Sequence, residues 1–143
     1  FLSFDGELDT QPLIEQLWRA GKRVYLPVLH PFSAGNLLFL NYHPQSELVM
    51  NRLKIHEPKL DVRDVLPLSR LDVLITPLVA FDEYGQRLGM GGGFYDRTLQ
   101  NWQHYKMQPV GYAHDCQLVE KLPVEEWDIP LPAVVTPSKV WEW

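Results

Sequence analysis

The chain has 143 residues, 45% hydrophobic and 22% charged, with a formal net charge of −5. That length and balance fit one compact domain around a single core and exclude a disordered chain; the acidic surplus, with no cluster of lysine and arginine, excludes a nucleic-acid surface but not an anionic nucleotide held by a few donors or a metal ion. A single cysteine, Cys116, excludes an intrachain disulfide and points to a reducing, cytoplasmic setting, and no apolar run approaches the roughly 20 residues that span a bilayer.

Residues 1–4 (FLSF) read as the end of a buried strand with no polar lead-in, which predicts further residues ahead of Phe1. Asp5-Gly6 turns the chain, Thr10 is placed to cap a helix, and Pro12 is tolerated in its first turn. Leu13, Ile14, Leu17 and Trp18 recur at helical spacing, and Gly21 ends the helix. Residues 22–29 (KRVYLPVL) follow as a strand, and a strand–helix–strand opening of this length favours a parallel pair. Residues 36–42 are a further strand, whereas the proline-punctuated residues 43–70 read as a long surface connection with one helical turn at most.

Residues 71–80 (LDVLITPLVA) form the strongest strand candidate, apolar enough to be buried on both faces. A glycine-rich stretch at 85–93 leads into helix-permissive sequence from Phe94 to about Gln103, and residues 109–113 and 133–136 close the set as short strands. Alternating strands and helices predict an α/β fold: three layers, with a mostly parallel, Rossmann-like sheet flanked by helices. Ligands in such sheets sit at the carboxyl ends of the strands, where the glycine-rich stretch would lie.

The stretch 81–99 reads FDEYGQRLGMGGGFYDRTL, and four of the five residues from Gly89 to Gly93 are glycine. Glycine permits close approach of a ligand to the main chain, and a loop between strand and helix can aim N–H groups at an anion. Arg87 adds a positive charge suited to phosphate oxygens, and Asp96, in the first turn of the next helix, can hold a hard cation such as Mg2+. No Gly-Lys-Ser/Thr triplet occurs, and a GxGxxG match from Gly89 fails at Phe94, so neither common phosphate-loop pattern applies.

The run from Pro77 to Leu99 resembles the signature P-x-x-A-F-D-x-x-G-x-R-L-G-x-G-G-G-Y-Y-D-R-x-L of 5-formyltetrahydrofolate cyclo-ligases, with Phe94 in place of one tyrosine. FLSFDGELDT at 1–10, GKRVYLPV at 21–28, IHEP at 55–58 and LPVEEWDIPLPAVVT at 122–136 extend the likeness over essentially the whole chain, as one domain of residues 1–143. The resemblance implies an ATP- and Mg2+-dependent ligase that converts 5-formyltetrahydrofolate, polyglutamylated forms included, to 5,10-methenyltetrahydrofolate, acting as a monomer with no nucleic-acid or membrane partner. Carried over by position, it implies an ATP-binding loop of Arg87, Leu88, Gly89, Met90, Gly91, Gly92, Gly93, Phe94 and Tyr95. It further implies substrate contacts at Leu2, Glu7, Met90, Gly91, Gly92, Gly93 and Phe94, and magnesium-linked carboxylates Asp96 and Asp128. Family members begin with a basic helix that meets the ATP phosphates, and that segment is absent from this sequence.

Each residue also has a plainer reading. Asp96 can be a first-turn acid that complements a helix dipole, Asp128 a loop carboxylate, Glu7 a solvated turn residue and Arg87 a brace for the loop. Phe94 and Tyr95 suit packing as well as stacking. The five histidines lack metal-ligand spacing, and Cys116 has no neighbouring base in sequence. A folate- or nucleotide-binding module without catalysis is the alternative function, and a sugar-phosphate isomerase or acyl-CoA transferase is disfavoured because no base or nucleophile stands near the loop.

Overall fold

A computed structural model describes residues 1–2, 7–30, 32, 36–51, 55–89, 93–100, 102–123 and 129–143. Helix α1 spans Gln11–Arg19 and buries Ile14. Its outer anchor is Trp18, whose indole N–H donates to the Tyr42 carbonyl at 3.0 Å while the two rings lie 5.2 Å apart. The expected Thr10 cap takes another form. Thr10 makes no side-chain bond to the helix; its hydroxyl donates to the Phe1 carbonyl at 2.7 Å, and Asp9 Oδ1 accepts the Gln11 N–H at 3.0 Å instead. The start of the chain is thereby tied down by the residue that opens α1.

Strand β1 (Val24–Leu29) pairs antiparallel with β2 (Leu37–Tyr42), which pairs antiparallel with β5 (Val65–Leu66). Between them, β3 (Leu48–Met50) and β4 (His56–Pro58) form an antiparallel ribbon, so the stretch expected as loose connection carries its own pairing. Glu57 fastens this ribbon to the sheet by accepting the Leu29 N–H at 3.1 Å and an Asn51 amide hydrogen at 3.0 Å.

The second sheet has the order β11–β10–β9–β6, from Val140–Glu142, Ala133–Val135, Gln108–Tyr112 and Val73–Thr76. Only β6–β9 and β9–β10 are parallel. The expected mostly parallel, Rossmann-like sheet is therefore present only as this three-strand stretch; the remaining described strand pairs are antiparallel, and a single parallel bridge joins Phe81 to Leu118. The cause lies in the connections: β1 and β2 are joined by seven residues, too few for a helical crossover. The apolar run at 71–80 is likewise divided. It leaves the sheet at Pro77, which has no N–H to donate, and resumes as β7 (Ala80–Phe81) paired antiparallel with β8 (Arg87–Leu88).

Helix α2 is shorter than expected, Phe94–Leu99, followed by a 3-10 turn at Trp102–His104. No helix among the described residues is long and apolar enough to cross a membrane.

The core gathers Phe39, Leu74, Leu78, Phe81, Leu99 and Val134 under α2 and the β6–β9–β10 strands. Burial of each such side chain contributes on the order of 2 kcal/mol. Gly111 is required at its crowded centre, since a Cβ there would lie 2.9 Å from Leu131 and Val134 and 3.0 Å from Leu78. Gly21, with φ +75°, faces open space. Gly111→Ala should therefore lower stability to urea unfolding by about 1–3 kcal/mol through overpacking, and Gly21→Ala by about 1 kcal/mol through backbone strain alone. A Gly111→Ala variant as stable as the parent would show that this centre is not close-packed.

Candidate active site

The glycine-rich stretch begins on β8 and ends at α2, and the side chain at its head turns inward. Arg87 is only 4% exposed; its guanidinium donates to the Pro77 carbonyl at 3.2 Å and pairs with Asp96 Oδ1 at 3.3 Å. Pro77 is the residue at which β6 leaves the sheet, so Arg87 stitches the carboxyl end of β6 to the first turn of α2. The guanidinium carbon lies 5.8 Å from the centre of the Tyr95 ring. A Cβ on Gly89 would come within 2.9 Å of an Arg87 nitrogen, so the main chain at Gly89 passes directly over the guanidinium.

The sequence presents Arg87 as a cation for phosphate and Asp96 as a carboxylate for a metal. The structure brings the two together as partners. Arg87 lies against the main chain at Gly89, and Asp96 is held by one oxygen while its side chain stays 22% exposed. An ion pair with one buried member fixes geometry more than it adds stability, because desolvation offsets much of the Coulomb gain.

Tyr95 follows on α2. Burial of its hydroxyl pushes the phenol well above the ordinary tyrosine value, partly opposed by the nearby Arg87 charge and reinforced by Glu7. Glu7 is thus within electrostatic reach of Tyr95. Glu7 and Leu2 are both half-buried. Phe94 packs under the Arg97 guanidinium at 5.6 Å, and Gly93, at φ +69°, supplies the left-handed turn that starts α2. Leu88 is exposed at the lip. Met90, Gly91, Gly92 and Asp128 lie outside the described residues.

Beside Tyr95 opens a cavity of about 100 Å³ between α1, β1 and β6, lined by Thr10, Ile14, Arg23, Tyr25, Phe39 and Ile75 among others. Sequence periodicity does not reveal it, because its walls come from five separate elements, α1, β1, β2, β6 and α2.

Among the described residues, no three His, Cys, Asp or Glu side chains cluster as a metal site. This donor set does not make an all-protein cage. Asp96 is the described carboxylate at the loop, and one or two carboxylates together with phosphate oxygens are a donor set that suits a magnesium ion. Cys116 is exposed and distant in sequence from the loop.

The structure is thus an α/β domain in which a buried arginine and an aspartate join the two flanks of a glycine-rich stretch. The family model described as the 5-formyltetrahydrofolate cyclo-ligase family matches residues 1–137, and the chain belongs to that family. It is 99% identical over 143 residues to a 5-formyltetrahydrofolate cyclo-ligase of Escherichia coli (strain K12), covering 100% of this chain and 79% of that protein. A Haemophilus influenzae protein of the same name is 61% identical over 131 residues, covering 92% of this chain and 70% of its own length. Among solved structures, the NMR structure of Aquifex aeolicus 5,10-methenyltetrahydrofolate synthetase superposes with a TM-score of 0.79 at 31% identity, covering 98% of this chain and 68% of that one.

The Tyr95 environment makes a testable statement about alkaline pH. With the folded phenol pushed above the unfolded value near 10, its contribution to stability is complete below about pH 10. Above that pH the unfolded chain loses the proton first, so the contribution falls as pH rises. Tyr95→Phe should flatten the alkaline loss of stability in urea titrations run from pH 8 to pH 11. An unchanged slope would mean that the Tyr95 hydroxyl is open to solvent.

Proposed function

We infer that this chain is the catalytic domain of an ATP-dependent 5-formyltetrahydrofolate cyclo-ligase, and that residues 87–96 handle the phosphates. The observation that carries the reading is the Arg87–Asp96 pair, set under the glycine-rich stretch at the carboxyl end of β6. Family membership supplies the reaction.

The chemistry is an activation problem. A formyl oxygen on nitrogen is a poor leaving group, and phosphorylation makes it a good one. The formyl oxygen attacks the γ-phosphorus, the bond to the ADP oxygen breaks, and ADP departs. N10 of the folate then attacks the activated carbon and loses its proton. The carbon–oxygen bond breaks, phosphate leaves with the oxygen, and the ring closes as 5,10-methenyltetrahydrofolate. Such a reaction asks the protein mainly to align two ligands and to balance charge on the phosphoryl group.

We assign these tasks as follows. The main chain from Arg87 to Tyr95 offers N–H groups to the triphosphate, with Arg87 supplying positive charge and fixing the place of the Asp96 carboxylate through their ion pair. Asp96, with Asp128, faces the magnesium ion, which when bound offsets phosphate charge. Glu7, Leu2 and the 90–94 segment meet the folate, and the half-buried placement of Glu7 beside Tyr95 supports that side of the assignment. The chain is taken to work as a monomer in the cytoplasm on folates that include polyglutamylated forms.

The full-length protein mixed with 5-formyltetrahydrofolate and Mg-ATP should yield the strongly absorbing methenyl product in step with ADP. Asp96→Ala should cut kcat/KM by about 100-fold, a change of roughly 2.7 kcal/mol in transition-state stabilisation. Folate binding without turnover by the wild-type protein would leave a binding module instead, and an active Asp96→Ala enzyme would remove that carboxylate from the mechanism.

A further inference from the structure

Asp82 is fully buried, and its carboxylate accepts three main-chain hydrogens. Oδ1 takes the N–H of Tyr84 at 2.9 Å and of Gln86 at 3.1 Å, and Oδ2 takes the N–H of Leu122 at 2.9 Å. Two of these donors belong to the turn joining β7 to β8; the third comes from a segment 40 residues away in sequence. The Asp82 main chain adds its own bonds, donating to the Gln86 carbonyl at 3.1 Å and accepting from Gly85 at 3.2 Å. Gln86, held on both its N–H and its C=O, immediately precedes Arg87.

The turn is fixed from its other side as well. The Leu131 N–H donates to the Gly85 carbonyl at 2.7 Å, the Trp143 indole donates to the Glu83 carbonyl, and a Cβ on Gly85 would strike the Leu131 carbonyl at 2.6 Å. The ribbon edge is held in turn by the Val119 N–H on the Phe81 carbonyl at 2.8 Å. A turn closed only on itself would be served by asparagine, which offers one acceptor oxygen. The second carboxylate oxygen is needed because a donor arrives from elsewhere in the chain. A dry carboxylate is costly unless its oxygens are satisfied, and here three N–H groups satisfy it.

We propose that Asp82 is a positioning residue for nucleotide use: by locking the 82–86 turn to the Leu122 segment, it sets where Arg87 enters the loop and so where the Arg87–Asp96 pair stands. The inference rests on the phosphate-handling role given to residues 87–96 above. Asp82 itself touches no reacting atom. Its effect is exerted through Arg87.

The experiment is a kinetic double-mutant cycle in the full-length enzyme, using Asp82→Asn, Arg87→Lys and the pair. Asparagine keeps the size of the side chain but places an amide donor where one main-chain donor needs an acceptor. Asp82→Asn should raise KM for ATP about tenfold in the Arg87 enzyme, with a smaller change in KM for the folate, and less than about twofold in the Arg87→Lys enzyme. Loss of folded protein would lower kcat alike in both backgrounds and leave KM in place, so it cannot imitate this pattern. Equal KM effects in both backgrounds, or no effect in either, would overturn the proposal. If Asp82→Asn fails to fold, Asp82→Glu, which retains both oxygens at the wrong reach, enters the same cycle with the same expectation. Wild-type protein without turnover would strike the functional assignment, whereas an active wild type with an unaltered Asp82→Asn KM would strike the role of Asp82 alone.

Discussion

A guanidinium withdrawn from water needs acceptors, and the two terminal nitrogens of Arg87 organise their surroundings by that need. Its 4% exposure would be untenable without the Asp96 carboxylate, the Pro77 carbonyl and the Tyr95 ring about it. Two of these partners sit on α2 and the third at the end of β6, while Arg87 itself lies on β8, so this one side chain ties the carboxyl end of β6, the β7–β8 ribbon and the first turn of α2 together. The glycine at position 89 follows from the same requirement, because a side chain there would displace the guanidinium. The loop is thus rigid at its base, where its two flanks meet.

Rigidity of this kind suits a phosphoryl transfer whose covalent changes occur on the ligands. The catalytic contribution of the protein is alignment and charge balance, and both depend on groups already held in place before the ligands arrive. The cost is visible locally in a desolvated cation and a fully buried Asp82. The apolar core beneath, from Leu74 through Phe81 to Val134, offsets it.

Much of this was legible in the sequence. The α1 periodicity, the strands at β1, β2, β9 and β10, and the helix beginning at Phe94 follow from apolar spacing and turn residues. The long motif around the glycines identified the family before any geometry was known. What sequence could not supply was pairing partners. Parallel and antiparallel neighbours use the same apolar residues, so a mostly parallel sheet was expected where β1–β2 and β10–β11 are antiparallel; the parallel pair expected between residues 1–4 and 22–29 falls in part outside the described residues. Residues 71–80 were read as one strand although Pro77 divides them, and β11 was not anticipated. At the site, the pairing lay beyond the sequence: nothing in the order of residues tells whether Arg87 faces solvent or Asp96. Asp82 stood in the motif, but its Leu122 partner is brought to it only by the fold.

The central claim is that residues 87–96 receive the nucleotide as one braced unit. Amide chemical-shift mapping of the labelled full-length protein with a non-hydrolysable Mg-nucleotide tests it directly. The largest shifts should fall on the main chain of residues 87–89 and 93–96, and Arg87→Lys should scatter or abolish them. Shifts concentrated away from that stretch, or a footprint that Arg87→Lys leaves intact, would contradict the account.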